Sequence, residues 1–308
     1  MVKATYQDFL EYQRFIGAAP VFMVKYLSLP FMKRLKGIIM LCGMINASPH
    51  MYKFNLPMIT RFDHSVNDAK ITYNLTHSKE MTLASCFHDV ASPTWCHVVD
   101  YMNKDYVTQE STEEKTYEIL ASSNELLEYL KMDGIRLEDV VDFKKYSVCD
   151  LPRPKLCADR VENTLISAFA WSGNITLDEA KLVISSLRLY QNEDGETEIG
   201  LTNLDAANIL IRINEEIDRL THTKEDNYMM TIASELLRRC IDFGVFSYDD
   251  LFRMTESDLI KKIEENVKRD TIISEYYHMY KYTEAAPDIK MPEVKKIVLS
   301  PLVNGKRI

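Results

Sequence analysis

The sequence predicts an all-α, mainly helical protein that carries a small β-hairpin and a short C-terminal β-like tail. Apolar residues recur three and four positions apart through most segments, as in "TYEILASSNELLEYLKM" at positions 116–132, which is the periodicity of a helix with one buried face. The exception is "LRLYQNEDGETEIGL" at 187–201, where two strand-like runs flank Asp194 and Gly195, a typical hairpin turn. In the tail, a β-type run over 297–299 is expected to pair with this hairpin or with a neighbouring subunit.

Prolines and caps place the individual helices. The apolar run "GIIMLCGMINA" at 37–47 is about half as long as the roughly 20 residues of a membrane span, so we expect a buried helix there. Two prolines in "DLPRPK" at 150–155 end the preceding structure, and a new helix is expected to begin near Lys155. Further helices are expected around His64, up to His88, over 116–132, over 203–220 and, in two or three pieces with Thr255 or Ser257 as an N-cap, over 232–267.

Composition and charge limit the classes of function. The chain has 308 residues, of which 46% are apolar and 27% charged, as in a folded soluble protein. A net charge of −9 argues against binding to a nucleic-acid backbone, which needs a dense array of Lys and Arg. Six cysteines without a C-x-x-C pair, and charged residues close to the N-terminus, predict reduced thiols and a cytoplasmic location without a membrane span.

Three of the seven histidines, together with several carboxylates, fall into the two short stretches 61–70 and 84–100. His88 and Asp89 end a helix that is apolar on one face, where an unpaired charge is costly, so Asp89 needs a neutralising partner such as a divalent cation. His64 lies in an upstream helix, and Asp159 interrupts a run that otherwise buries apolar residues. These four side chains can converge on one ion, since mixed nitrogen and oxygen ligands suit Fe, Mn or Zn. A hydrogen-bonded core network without metal is the alternative.

The order of these residues, a histidine, then a His-Asp pair, then an aspartate, resembles the pattern of HD-domain metal-dependent phosphohydrolases. Within that superfamily, "RFDHS" at 61–65 is similar to the R-F-x-H-S motif of the deoxynucleoside triphosphate triphosphohydrolase (dGTPase-like) branch. The resemblance covers most of the chain, because "PFMKRLKGI" at 30–38, the hairpin, "MTESDL" at 254–259 and "KKIVLSPL" at 295–302 are also similar in order.

The resemblance implies four ligands of a divalent ion (Mn, Fe, Zn, Ni or Mg): His64, His88, Asp89 and Asp159. It also implies Arg61 as a phosphate contact, and His97 and Asp100 as residues that serve acid/base chemistry beside the scissile phosphate. The metal would lower the pKa of a bound water, and a histidine can transfer protons near neutral pH.

Two of these candidates have a structural alternative. For His97, which follows Trp95, a hydrogen-bonded core histidine is the alternative to the favoured catalytic role. Arg61 is equally compatible with a surface ion pair to Asp63 or Asp68, which would contribute little to stability.

The chain departs from the branch pattern near the attacked phosphate. Ser92 in "HDVAS" stands where the branch has a histidine. Ser111 lies in "TQESTEE", which lacks the downstream histidine of the branch and leaves Glu110 or Glu113 as the nearby titratable side chain. We take Glu113 as the candidate catalytic residue at this point.

Asn163 and Ser167 follow the last ligand, where the branch has a tyrosine and then an arginine that hold sugar and phosphate. The metal centre is therefore retained, while the triphosphate pocket is changed. We expect a metal-dependent phosphohydrolase that acts on a nucleotide or a related small phosphate ester through a metal-activated water. A catalytically inactive nucleotide-sensing or interaction module is the alternative, and a non-nucleotide hydrolase or a metal-dependent oxygenase is a third hypothesis.

Two regions are expected along the chain. Residues 1–180 form the HD-domain helical core with the metal site, and residues 181–308 form the hairpin, the C-terminal helices and the tail, packed on that core. Relatives in the branch commonly assemble as dimers, tetramers or hexamers, so the resemblance implies a homo-oligomer. The expected partner is a small phosphorylated substrate, with no nucleic-acid backbone and no membrane.

Overall fold

The computed structural model describes residues 3–109 and 114–308 and confirms a mainly helical fold with a small sheet. The first eleven helices of the described chain are α1 (Tyr6–Ile16), α2 (Met23–Leu27), α3 (Pro30–Leu35), α4 (Arg61–Thr76), α5 (Lys79–Phe87), α6 (His97–Met102), α7 (Thr116–Ala121), α8 (Asn124–Asp133), α9 (Glu138–Val141), α10 (Ala158–Ser167) and α11 (Leu177–Ser186). After the hairpin follow α12 (Leu204–Thr221), α13 (Lys224–Asp242), α14 (Glu256–Val267) and α15 (Thr271–Tyr282). None of these described helices is long and apolar enough to cross a bilayer.

The small sheet contains the predicted hairpin and part of the tail. Strands β1 (Leu187–Gln191) and β2 (Thr197–Leu201) pair antiparallel around the predicted turn. Strand β3 (Leu302–Val303) pairs parallel to β2, and β4 (Lys306–Arg307) pairs antiparallel to β3. The tail therefore joins the hairpin of its own chain.

The expected β-type run over 297–299 is wrong, because these residues form no strand. Side chains of α12 bind the backbone of this segment instead. The N–H of Ile297 donates to Asp218 Oδ1 at 2.7 Å, and its C=O accepts from Asn214 Nδ2 at 2.7 Å. Since both backbone groups are satisfied by side chains, a neighbouring strand has nothing to pair with here.

The predicted buried helix over 37–47 is also wrong. The segment is largely buried but consists of turns, a short 3₁₀ stretch at Met44–Asn46 and a β-bridge from Ile39 to Thr60. Gly43 has φ 76°, and a Cβ at this position would overlap the indole ring of Trp95. The run is therefore apolar because it packs under Trp95, and the left-handed turn prevents it from continuing as a helix.

Two smaller differences concern helix boundaries. Residues 116–132 form two helices, α7 and α8, because the Ser123 side chain accepts from the N–H of Leu126 and starts a new helix. The helical periodicity of this segment would place Tyr117 on the buried face, but its side chain is 63% exposed. The helix expected near Lys155 begins three residues later, at Ala158.

Capping boxes fix the start of several helices. In each, a threonine side chain accepts from the N–H three residues on, and the acid at that position accepts from the threonine N–H: Thr5 with Asp8, Thr60 with Asp63, Thr176 with Glu179, and Thr255 with Asp258. The prediction of Thr255 as a cap is thus confirmed. The Thr60 box starts α4 directly before Arg61 and so places His64 at the end of its first turn.

Buried apolar residues form three large clusters in the described chain. One joins α1, α10, the hairpin and α12, the second joins Trp95, α6 and α13 to α15, and the third joins α2 to α5 with α7 and α8. The first two clusters combine residues from both sides of position 180, and the proposed division into 1–180 and 181–308 stays a prediction.

We predict that Gly43→Ala destabilises the protein more than Gly244→Ala does. Both glycines have a left-handed φ, 76° and 69°, so both alanines incur about 1–2 kcal/mol of backbone strain. Only at residue 43 does the new Cβ meet a side chain, that of the fully buried Trp95, which adds about 1–3 kcal/mol of overpacking. Urea denaturation of both variants measures the difference, and equal losses of stability would contradict the packing described here.

Candidate metal centre and its cavity

Three helical segments bring the four predicted ligands together. His64 comes from α4, His88 and Asp89 follow α5, and Asp159 lies in the first turn of α10. His64 Nε2 lies 3.1 Å from His88 Nε2, 3.1 Å from Asp159 Oδ1 and 3.8 Å from Asp89 Oδ2. His88 Nε2 lies 3.7 Å from Asp89 Oδ2 and 3.6 Å from Asp159 Oδ1. Both imidazoles and Asp89 are buried, while Asp159 is about one-third exposed.

The outer nitrogens of both imidazoles are already occupied. His64 Nδ1 donates to Glu162 Oε2, and His88 Nδ1 donates to the C=O of Ser85 at 2.6 Å. The two Nε2 atoms, whose lone pairs would repel at 3.1 Å, therefore need a positive charge between them, either a shared proton or a metal ion. Burial lowers the pKa of His64, but Glu162 and Asp159 outweigh burial and raise it well above its usual range.

The donor set fits a divalent ion. Nitrogen and oxygen ligands bound at about 2.0–2.2 Å lie roughly 3–3.6 Å apart around one ion, close to the separations of the four side chains here. The second nitrogen of each histidine is hydrogen-bonded, as is usual for metal ligands. His64, His88 and Asp89 form a buried group that can hold a metal ion, and Asp159 Oδ1 is within 3.6 Å of both histidines.

Glu162 orients His64 and was not predicted from the sequence. It is fully buried, accepts from His64 Nδ1 and from Asn67 Nδ2 at 3.1 Å, and burial raises its pKa. Its signal in the sequence is its position three residues after Asp159, which puts both carboxylates on neighbouring positions of one helix face.

Arg61 is buried and binds Asp89. Its Nη1 lies 2.9 Å from Asp89 Oδ2, so the alternative of a surface pair with Asp63 or Asp68 is wrong. Burial raises the pKa of Asp89, but Arg61 and the two imidazoles outweigh burial and hold it well below its usual range. Ser92 Oγ donates to the other oxygen of Asp89 at 2.9 Å. Both oxygens of this carboxylate are thus held in place.

His97 and Asp100 form a hydrogen-bonded pair at the start of α6. His97 Nδ1 lies 2.8 Å from Asp100 Oδ2; the histidine side chain is 36% exposed and lines the cavity, while Asp100 is fully buried. His97 is therefore not a core histidine, and Asp100 positions its ring. The candidate Glu113, together with Glu110 and Ser111, lies outside the described residues.

A cavity of about 540 Å³ is lined by three of the four ligands, His88, Asp89 and Asp159. Its volume is within the range of about 300–1,000 Å³ common for small-molecule sites. Its lining near the ligands includes Asn163 and Ser167 of α10. Cationic side chains also line it: Arg61, Lys144, Arg153, Arg160 and Lys295. The cavity can thus take an anionic group at the end where the metal ligands lie.

The other end of the cavity is aromatic and carries a buried acid. Tyr52, Phe54 and Trp171 line it together with Asp226. Asp226 Oδ1 accepts from the Tyr52 hydroxyl at 2.7 Å. Burial raises the pKa of Asp226 to about 7, against smaller opposite effects of Tyr52 and His222.

Comparison with known proteins gives a distant relation. No protein-family model matches the chain. A 162-residue stretch, 51% of the chain, is 25% identical to the "Metal-dependent phosphohydrolase cns2" of Cordyceps militaris and covers 44% of that protein. The chain is a distant homologue of a metal-dependent phosphohydrolase. A 130-residue stretch, 42% of the chain, is 28% identical to the uncharacterized protein YdhJ of Bacillus subtilis and covers 39% of it. The chain thus spans less than half the length of these relatives.

We predict that Glu162→Gln lowers the affinity for a divalent ion about 10- to 100-fold, because loss of the charge on this hydrogen-bond acceptor weakens His64 as a ligand. Glu256→Gln is the matched control: Glu256 is also a buried glutamate, but it accepts from the Ile39 N–H at 2.9 Å instead of from a histidine. Competition with a metal chelator measures both affinities. An unchanged affinity in Glu162→Gln would refute the role given to this carboxylate.

We also predict that Asp226 makes the protein less stable as the pH rises. The unfolded carboxyl loses its proton near its ordinary pKa of 3.8 and the folded one near 7, so between these values the folded state binds more protons and the free energy of unfolding falls. The total effect is at most about 4 kcal/mol. Asp226→Asn lacks this decrease, and urea denaturation at about pH 5 and about pH 8 measures it. Parallel profiles of variant and native chain would contradict the burial of an unpaired acid.

Proposed function

We propose that the protein is a metal-dependent phosphohydrolase of the HD superfamily that hydrolyses a nucleotide or a related small phosphate ester. The observation that carries the proposal is the meeting of two imidazole nitrogens with the carboxylates of Asp89 and Asp159 at one end of a cavity with a cationic lining. The distant relation to a metal-dependent phosphohydrolase and the order of the four ligands support it.

His64, His88, Asp89 and Asp159 would hold a divalent ion, which would supply a water of lowered pKa and neutralise charge on the phosphoryl group. The other residues have separate roles. Arg61, fixed by Asp89, adds positive charge beside these ligands. His97 has Nδ1 occupied by Asp100, so its Nε2 is the nitrogen that exchanges a proton with the substrate.

Cations on the cavity wall provide the binding site for phosphate. Arg153 lines the cavity and forms no ion pair with any acid in the described parts of the chain; its Nη1 is 3.5 Å from the C=O of Val298. Because the whole chain has a net charge of −9, attraction of an anion depends on such local cations and on the metal. Substrate identity, a homo-oligomeric state and a cytoplasmic location remain predictions.

A nucleotide-sensing module without turnover is the second candidate. Ser92 favours it, since this residue stands where the triphosphohydrolase branch has a histidine and instead binds Asp89. Asn163 and Ser167 favour it as well, because they line the cavity in place of the tyrosine and arginine of that branch. A metal-dependent oxygenase with two irons would need additional histidines. The buried group of the described residues that can hold a metal ion contains two, His64 and His88, which gives this hypothesis little support.

The test is chromatography of a nucleotide mixture (mono-, di- and triphosphates) incubated with the purified protein and Mn²⁺. We expect one class to be consumed, and the product, orthophosphate or tripolyphosphate, shows which bond breaks. Asp89→Ala should abolish turnover, but it leaves Arg61 buried without its partner. The partly exposed Asp159→Asn is therefore the second variant, and His97→Gln should lower kcat about 10²- to 10⁴-fold.

Asp258→Asn is the control, because this acid lies in the exposed capping box of α14. Its turnover should equal that of the native chain. Turnover that survives both ligand substitutions would overturn the proposal, as would metal binding without hydrolysis of any nucleotide, which would favour the sensing module.

A further inference from the structure

Asp226 departs from a rule that other helices of this chain follow. Four helices begin with a capping box in which the acid three residues after a threonine accepts a hydrogen bond from the threonine N–H. Helix α13 has the same spacing, and the Thr223 side chain accepts from the Asp226 N–H. The Asp226 carboxylate, however, does not accept from the Thr223 N–H. The N–H of Thr223 donates to the C=O of Leu220 instead, at 3.2 Å.

The Asp226 carboxylate faces the cavity instead. Asp226 is 7% exposed, lines the cavity and accepts one hydrogen bond, from the Tyr52 hydroxyl. Within residues 3–109 and 114–308 no Lys or Arg forms an ion pair with it, although a solvated capping position was available three residues away. Burying a carboxyl without a cation costs free energy, and such local exceptions are expected at functional sites.

The aromatic side chains beside Asp226 form one wall. Tyr52 and Phe54 stack with ring centroids 5.0 Å apart and planes 16° apart, and the Trp171 ring lies 5.9 Å from Phe54. The N–H of Asn55 lies 3.1 Å and 3.0 Å from the carbonyl oxygens of Ala170 and Trp171, which fixes this loop to the turn of π-helix, Ala168–Ser172, that follows α10. A planar ring system stacks well on such a wall.

The two ends of the cavity require different parts of one molecule. The end with His88, Asp89 and Asp159 suits phosphate, and the aromatic end suits a planar group with a hydrogen-bond donor for Asp226. A carboxyl group accepts from an amino group whether or not it is protonated. The ionised carboxylate, which prevails above the pKa of about 7 that burial gives Asp226, repels a carbonyl oxygen. An exocyclic amino group meets this requirement, and an exocyclic oxygen at the same position does not.

We propose that Asp226, with the wall of Tyr52, Phe54 and Trp171, binds the base of a nucleotide substrate and selects bases that carry an exocyclic amino group in place of an oxygen, namely adenine or cytosine. The proposal rests on the proposed function, because it assumes that the phosphate of the same molecule lies at the metal ligands. It assigns a specificity-determining role to a residue that local sequence rules describe as a helix cap.

The test compares nucleotides in which an oxygen replaces one exocyclic amino group and the neighbouring ring nitrogen gains a proton. AMP is paired with IMP, and CMP with UMP, at the phosphorylation level that the protein consumes, and kcat/KM is measured for each at about pH 8.5, where the Asp226 carboxyl is ionised. Binding of AMP, IMP, CMP and UMP to metal-free protein is measured in parallel by titration calorimetry. We expect the amino member of at least one pair to be preferred about tenfold or more in both measurements, because the oxo member places an acceptor oxygen against the Asp226 carboxylate.

Substitutions separate recognition from a purely structural role. Asp226→Asn should lower the preference at least tenfold or reverse it, since its amide can donate to a carbonyl oxygen. Tyr52→Phe should reduce the preference without abolishing it, because the hydroxyl only orients Asp226. Asp258→Asn is again the matched control, because the Asp258 carboxylate does accept from the N–H of its threonine, Thr255. This variant should leave the preference unchanged.

The outcomes distinguish the two proposals. Equal kcat/KM and equal affinity within both pairs would overturn the role of Asp226 while leaving the phosphohydrolase proposal intact, and so would a preference that Asp226→Asn does not alter. A preference in binding that Asp226→Asn removes, without hydrolysis of any nucleotide, would support the base site and overturn the enzymatic proposal.

Discussion

The convergence of two imidazole nitrogens is the interaction on which the candidate site depends. His64 is held at Nδ1 by Glu162 and His88 by the C=O of Ser85, so the two Nε2 atoms face each other at 3.1 Å. Around them the protein buries carboxylates that Arg61 alone does not balance. Burial of unbalanced negative charge is costly, so an added cation stabilises this arrangement. A proton on His64 is one such cation, and a divalent ion would bring more charge to the same place.

Helix α10 connects this centre with the aromatic end of the cavity. Asp159, Asn163 and Ser167 are spaced four residues apart, so they follow one face of the helix and line the cavity in succession. A turn of π-helix, Ala168–Ser172, follows directly and adds Trp171 to the same lining. Such turns often occur at functional sites, because the extra residue redirects the side chains that follow. A single continuous segment thus fixes the distance between the metal ligands and the aromatic wall.

The fold was predictable where local chemistry decides it. Helical periodicity, the turn at Asp194 and Gly195 and the cap at Thr255 depend on residues within a few positions, and the structure confirms them. The two failures have distant causes. The run over 37–47 is apolar because Trp95 packs on it, and the run over 297–299 has its backbone bound by side chains of α12. Periodicity contains no information about contacts so far along the chain.

The candidate site divides in the same way. The order of the four ligands could be recognised from the sequence, and Glu162 could have been found from its spacing to Asp159. Asp226 could not, because its spacing to Thr223 is that of a capping box, and this local rule offers a sufficient explanation for the residue. Only the direction of its carboxylate, compared with those of the four helices that do close the box, separates it from them. Where a residue satisfies a strong local pattern in sequence and abandons it in structure, the tertiary contact that replaces the pattern is the better guide to function.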